Sequence, residues 1–206
     1  MLALKVVTPL DVVPIVSLED CRAHLRVTPE DDSPPSHPDD ALILAQLAAA
    51  REWIEGYTDR SLTPRTYDLA LDHFPSNEIL LPKPPATGIV SVVYFDTDGV
   101  QQTLAPSNYV LDSYQEPGWL LPASGFSWPS TYDTINAVTV RYTAGYTLWD
   151  NPVQAVPMPK MMRAAVLLLL GDLYENRENT TTVRMEEIPY GVKSLCDWHR
   201  IRKGMA

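Results

Sequence analysis

Two cysteine–histidine pairs are the residues of this sequence with the clearest potential for chemistry. Cys21 precedes His24 and Cys196 precedes His199 by one helical turn, so each pair could present a thiol and an imidazole on one helix face. If the first and last helices packed together, the four side chains could hold a tetrahedral zinc ion. A buried thiol beside a polar neighbour explains each pair without a metal. We therefore expect no metal and no Cys-His dyad, and we keep a metal-stabilised binding module as an alternative.

The acidic stretch Asp96-Thr97-Asp98-Gly99 begins like a calcium-binding loop. Such a loop ends in a bidentate glutamate at its twelfth position, which is Ser107 here, so the Asp-Gly step instead predicts a β-hairpin. The sequence has no P-loop, GxGxxG, GxSxG or HExxH motif. We expect no enzymatic activity and no cofactor; an unrecognised site in the strand-rich part is the alternative.

Arg60 lies just beyond the end of a predicted helix, in the stretch "AAAREWIEGYTDRSL". It could act on a ligand or pair with a carboxylate. No nucleophile, base or phosphate-binding loop accompanies it. We therefore predict a structural role, in which Arg60 pairs with acidic groups of the same or a neighbouring subunit.

The overall charge limits the classes of partner. The 206 residues carry a net charge of −10, and such a surface repels nucleic acid. Two distant cysteines are typical of a reducing compartment, and the longest apolar run, Ala164 to Leu170, is too short to cross a membrane. With no readable signal peptide, the sequence predicts a soluble protein that acts or is assembled inside a cell.

Periodicity divides the chain into three parts. Residues 1–62 are predicted to be an N-terminal helical part, with a helix capped by Ser17, a mobile proline-rich loop at 27–40, and a longer helix that ends at Gly56. Residues 63–150 alternate polar and apolar side chains in short runs, which predicts an inserted antiparallel β domain. Residues 151–206 return to helical spacing, with helices to about Glu178 and from Val192 to Arg202. The fold class is therefore α+β, a helical layer interrupted by a β domain.

The order of several segments resembles the head–tail connector, or adaptor, family of long-tailed bacteriophages and gene transfer agents. The segments are "DDALILAQLAAAREWIEGYTDRSL", "TYDLALDHFP", "ILLP", "SVVYFDTDGVQQTL", "YVLD", "SWP", "NAVTVRYTAGY", "LLLLGDLYENRE" and "PYGVKSL". No one of them is diagnostic, but together they span roughly residues 15–202 in the order found in that family.

The resemblance implies a virion protein of the head–tail interface, assembled in the host cytoplasm. In this family, typically twelve subunits form a ring under the portal protein, and a stopper or tail-completion protein binds below the ring. DNA passes through the channel of the ring without sequence-specific binding. A stopper or another tail-completion protein is the alternative within the same class, although the flanking helices argue against it.

The resemblance also suggests roles for individual residues. The basic C-terminal segment is predicted to dock on the portal, because aromatic and arginine side chains are common interface anchors. An acidic channel lining would keep phosphates off the wall, and a solvated outer face is the other interpretation of the same carboxylates. The predicted portal-docking residues are Trp198, Arg200, Ile201, Arg202 and Lys203, and the predicted channel-facing residues are Asp39, Asp40, Glu52 and Glu55.

Overall fold

The structure of the protein is a computed structural model that describes residues 2–7, 15–32, 35–147, 156–176 and 190–201. Contacts between Cα atoms divide the chain into two compact units. The β unit comprises residues 1–11 and 63–147, and the helical unit comprises residues 12–62 and 148–206. The predicted α+β class is confirmed.

The helical unit contains four described helices. Helices α2 and α4 both pack on α3, and α1 contacts both α2 and α3. Their bounds are α1 Leu18–Leu25, α2 Asp40–Thr58, α3 Lys160–Glu175 and α4 Tyr190–Asp197. In the described part of the chain, no helix is both long and apolar enough to span a membrane.

The apolar stripes of the sequence form the core of this unit. Ile43, Leu47, Ala50 and Ile54 of α2 are buried, as their spacing predicts. In α3, the faces of Met162, Val166 and Leu169 are buried in the same way. The run of leucines in α3 therefore belongs mainly to the core, and only Leu168 among them is exposed.

Helix ends agree with the sequence prediction at the first helix and differ from it at later ones. Ser17 caps α1 as predicted, because its Oγ accepts a hydrogen bond of 3.0 Å from the amide of Asp20. The prediction that Gly56 ends α2 is wrong. The helix continues to Thr58, and Asp59 takes the left-handed conformation at φ 57°, which a short polar side chain tolerates. Helix α4 ends at Asp197, earlier than the predicted Arg202.

The β unit consists of two antiparallel sheets. The larger sheet has the strand order β1-β4-β10-β6-β7 and the smaller sheet the order β5-β9-β8. The strands are β1 Leu2–Val6, β4 Arg65–Leu71, β5 Ile79–Leu81, β6 Ala86–Phe95, β7 Gln101–Thr103, β8 Tyr109–Asp112, β9 Gly118–Pro122 and β10 Val138–Ala144. A two-stranded ladder, β2 Asp31–Asp32 with β3 Pro35–Ser36, lies in the proline-rich loop of the helical unit.

One core joins the two sheets. Alternate residues of β10 point inward, and Val140 lies between Leu69 of β4 and Val92 of β6. The smaller sheet contributes Ile79, Leu81 and Leu120 to the same cluster. Strand β1 was not expected: the sequence analysis placed residues 1–62 in a helical part, and the structure pairs Leu2–Val6 with Arg65–Leu71.

Candidate functional site

The end of α2 and the C-terminal segment form a polar cluster in the helical unit. Arg60, just past α2, is buried, and its Nε donates a hydrogen bond to the carbonyl oxygen of His199. The amide of Ile201 donates to the carbonyl oxygen of Thr58 at 2.9 Å. Two main-chain groups of the C-terminal segment are therefore fixed by the end of α2.

Tyr57 adds a side-chain connection to the same segment. Its hydroxyl donates to Oδ1 of Asp197 at 2.7 Å, and the guanidinium of Arg200 lies 4.7 Å from the centre of its ring. The hydrogen bond to the Asp197 carboxylate, followed by burial and the charge of that carboxylate, raises the pKa of the Tyr57 hydroxyl. The ring of Trp53, one helical turn earlier in α2, stacks on the Tyr57 ring, with ring centroids 5.0 Å apart. We call the contacts of Tyr57, Thr58 and Arg60 with residues 197–201 the C-terminal clasp.

The clasp presents one large aromatic side chain to solvent. Trp198 is 79% exposed, although residues on both sides of it are held by the clasp. An exposed tryptophan on a fixed backbone has the properties of an interface anchor, since it contributes large contact area at low conformational cost. Arg200 is exposed and Ile201 partly buried, while Arg202 and Lys203 lie outside the described residues.

The structure shows one partner of Arg60 within the chain. The sequence analysis expected it to pair with acidic groups of this or a neighbouring subunit. In the structure its Nε binds a main-chain carbonyl oxygen from a residue 139 positions away. A buried guanidinium so placed orients the C-terminal segment, and the expected subunit-interface role stays a prediction.

Two of the four predicted channel-facing carboxylates bind groups within the helical unit. Asp40 forms an ion pair with Arg22 and accepts a hydrogen bond from the amide of His37 at 2.9 Å. The Arg22 hydrogen bond holds the pKa of the Asp40 carboxyl down at about 2. Asp39 accepts a hydrogen bond of 2.5 Å from the hydroxyl of Tyr174. Both carboxylates therefore tie the start of α2 to its surroundings.

The other two candidates lie three residues apart on α2 in opposite environments. Glu55 is only 7% exposed, and its Oε1 accepts a hydrogen bond of 2.8 Å from the amide of Leu62. Its carboxylate stabilises the turn after α2. A carboxylate that lines a channel has to be exposed to solvent, and Glu55 is not. Glu52 has a side chain that is 59% exposed. Of these four carboxylates, Glu52 has the position that best suits a channel or outer surface.

The cysteine–histidine pairs do not form a metal site in the structure. Across the described residues, no group of three or more His, Cys, Asp or Glu side chains is placed to hold a metal ion. Cys21 and Cys196 are both buried, and burial raises the pKa of each thiol to about 11. A thiol with that pKa is protonated at neutral pH, which makes it a poor nucleophile.

The calcium-loop stretch forms the predicted hairpin turn. The amide of Gly99 donates to the carbonyl oxygen of Asp96 at 2.8 Å, and Gly99 has φ 77°. The Asp96 carboxylate accepts from the amides of Asp98 and Val100 and from the side chain of Gln102. The carboxylate thus holds its own turn, as turn-forming aspartates commonly do.

The clasp was largely missed by the sequence analysis. The sequence shows Tyr57 only as the last member of an apolar stripe and gives no signal that it meets Asp197, 140 residues away. The composition of the C-terminal segment did indicate an anchor, because tryptophan and arginine occur together in an otherwise acidic chain.

The chain is similar to one family model and to solved structures of gene transfer agent particles. Residues 15–94 match the family model described as phage gp6-like head-tail connector protein. The chain is 27% identical to a protein in the neck of an empty gene transfer agent particle computed with C6 symmetry, with a TM-score of 0.75 over 99% of this chain and 98% of that one. A chain from the virion of a native gene transfer agent particle is 27% identical, with a TM-score of 0.73 over 98% of both chains. A third, from the neck of a native particle computed with C12 symmetry, is 25% identical, with a TM-score of 0.71 over 99% of this chain and 98% of that one. No protein with a curated description matches.

Proposed function

We propose that this chain, a head–tail connector protein by its family and structural similarity, forms a ring in the neck of a phage-like particle and joins the DNA-filled head to the tail. It acts as a structural protein and not as an enzyme. The observation that carries the proposal is the similarity over 98–99% of both chains to neck proteins of gene transfer agent particles. Similarity over the whole length means that both units, and not only the segment that matches the family model, have counterparts in the neck.

The symmetry of those particles supports a ring. The similar chains come from necks computed with C6 and C12 symmetry, which suits a closed cyclic assembly, and a dodecamer is the simplest ring compatible with both. A cyclic ring joins each subunit to the next through two different surfaces. The net charge of −10 fits a channel through which DNA passes without binding.

The C-terminal segment is the part of the chain that we assign to the portal. The C-terminal clasp fixes its backbone and leaves Trp198 exposed, with Arg200 beside it. The basic residues that follow, Arg202 and Lys203, extend the same segment in sequence. A stopper or tail-completion protein would then bind elsewhere on the ring.

The assembly is tested by measuring mass in solution. Multi-angle light scattering on the protein alone and mixed with its cognate portal should show a mass step that corresponds to a full ring of bound copies. A protein that stays monomeric and ignores the portal under all ionic strengths tested would contradict the proposal.

The portal-docking role needs a variant that keeps the fold. Deletion of residues 194–206 would remove buried Cys196 and the clasp contacts, so loss of binding would be ambiguous. Trp198→Ala removes only an exposed side chain and should weaken portal binding at least about tenfold. Tyr114→Ala, which removes a fully exposed aromatic ring from the β unit, is the matched control and should bind normally. Equal binding by both variants would refute the assignment.

A further inference from the structure

One end of the β unit is built from the β6–β7 turn and the loop that leads into β10. The amide of Tyr132 donates to the carbonyl oxygen of Phe95 at 3.0 Å, and the amide of Phe95 donates to the carbonyl oxygen of Ala137 at 2.9 Å. A Cβ at Gly99 would lie 3.8 Å from the Tyr132 ring, which places this ring over the turn. Loop and turn therefore form one surface with a fixed backbone.

Apolar side chains collect on this surface and remain exposed. Ile135 is 79% exposed, Val100 54%, Tyr132 49% and Phe95 37%. Exposed apolar residues that are scattered singly are ordinary on protein surfaces, whereas several of them at one end of a small unit are typical of an interaction site. We call these four residues the loop-end patch.

An aromatic cavity is formed in part by residues that directly precede Tyr132 of the loop-end patch along the chain. It has a volume of about 600 Å³ and is lined by Phe74, Phe126, Trp128 and Thr131, the last of which precedes Tyr132. Trp128 stacks on Phe74 with ring centroids 5.0 Å apart, and its indole N–H donates to the carbonyl oxygen of Asn77 at 2.6 Å. A rigid aromatic wall next to exposed apolar side chains offers a partner both a pocket and a flat contact area.

The turn and loop that carry the patch are acidic. Residues 84–140 contain no lysine, arginine or histidine. Asp96, Asp98 and Asp133 lie in this turn and loop, and the acidic side chains outnumber the one histidine of the site, His73, which lines the cavity. An apolar centre with an acidic rim is complementary to an apolar surface with a basic rim.

We propose that the loop-end patch and its aromatic cavity bind the tail-side protein of the neck through a segment with an apolar anchor flanked by Lys or Arg. This inference rests on the proposed function, which supplies the neck and assigns the portal to the C-terminal segment. A second copy presenting the same patch is a poor occupant, because two acidic rims would face each other. A neighbouring subunit that presents a different surface is distinguished by the ring mass of the patch variants.

Binding of purified tail-side neck protein to the portal–connector complex tests the proposal. The variants are Ile135→Ser, which removes the most exposed anchor, and Asp133→Lys, which reverses a rim charge. Val110→Ser, an equally simple change at an exposed position of β8, is the matched control. All three positions are exposed, so far-UV circular dichroism and the melting temperature should match wild type.

Ile135→Ser should weaken binding at least about tenfold, and Asp133→Lys should slow association and reduce its salt dependence. Val110→Ser should bind like wild type, and every variant should keep the wild-type ring mass on the portal. Wild-type binding by Ile135→Ser, or no binding of tail-side protein by wild type, would overturn the proposal. A loss of ring mass in the patch variants would overturn it too, because the patch would then join copies of this chain. If the proposed function itself is wrong, the wild-type protein will not assemble on the portal. This result differs from failure of the patch proposal, in which the wild-type ring still forms on the portal.

Discussion

Replacement of Glu55 provides a direct test of whether its carboxylate serves the fold or the channel. The carboxylate accepts a hydrogen bond from the amide of Leu62, and both residues are buried. Glu55→Ala removes a charge-assisted hydrogen bond and leaves a buried amide without that acceptor. Such a loss costs about 1.5–3 kcal/mol of the free energy of unfolding, and the cavity left by the side chain adds to it.

The expected total for Glu55→Ala is therefore about 3 kcal/mol. Glu55→Gln retains an acceptor oxygen and should lose about half as much. Glu52→Ala is the matched control, because Glu52 lies on the same helix with a side chain 59% exposed. It should change the free energy of unfolding by less than about 0.5 kcal/mol.

Urea unfolding followed by circular dichroism at 222 nm measures these differences in the helical unit. With a slope of about 2 kcal/mol per molar urea, the Glu55→Ala midpoint should fall by about 1.5 M. The urea midpoint should decrease in the order wild type, Glu52→Ala, Glu55→Gln and Glu55→Ala. If Glu55→Ala unfolded at the same urea concentration as Glu52→Ala, the structural role assigned to Glu55 would be refuted.

Two further perturbations test the backbone and the charges. Gly145→Ala would place a Cβ 2.1 Å from the carbonyl oxygen of Thr63 at φ 122°, so it should lower the free energy of unfolding by about 3 kcal/mol or more. Gly125→Ala has open space around its Cβ and should lower it by about 1 kcal/mol. Similar melting temperatures for the two variants would contradict this reasoning. Because Arg22 lowers the folded-state pKa of Asp40 to about 2, the stabilisation from this carboxylate is present above its unfolded pKa of about 4 and is lost as pH falls towards 2. Chemical unfolding between pH 7 and pH 2.5 should show a shallower acid loss for Asp40→Asn than for wild type, and parallel curves would refute the linkage.

The sequence predicted best those features that depend on neighbouring residues. The Ser17 cap needs a side chain and an amide three positions apart, and the hairpin at Gly99 needs a glycine with positive φ after an aspartate. The apolar stripes of α2 and α3 are equally local, since burial follows the helical period. These features gave the fold class without knowledge of any long-range contact.

The features that the sequence did not predict depend on distant partners. Gly56 has a high intrinsic tendency to end a helix, but the helix continues to Thr58, and Glu55 binds the main chain of the turn that follows, at Leu62. Strand β1 is a short apolar run with no period long enough to distinguish strand from helix, and its pairing with β4 decides the outcome. The clasp similarly joins residues about 140 positions apart.

The placement of the carboxylates changes how the net charge should be interpreted. A charge of −10 suggests a repulsive lining only if the carboxylates face the channel unpaired, and Asp40 is neutralised locally by Arg22. Glu55 is buried at the turn that leads directly to Arg60, and Arg60 in turn binds the segment that carries Trp198. Any effect of a Glu55 substitution on assembly should therefore arise through the position of the C-terminal segment, whereas an effect of Glu52 should arise through its charge. The two can be separated by ionic strength, because salt screens the charge of an exposed carboxylate and leaves a buried hydrogen bond almost unchanged.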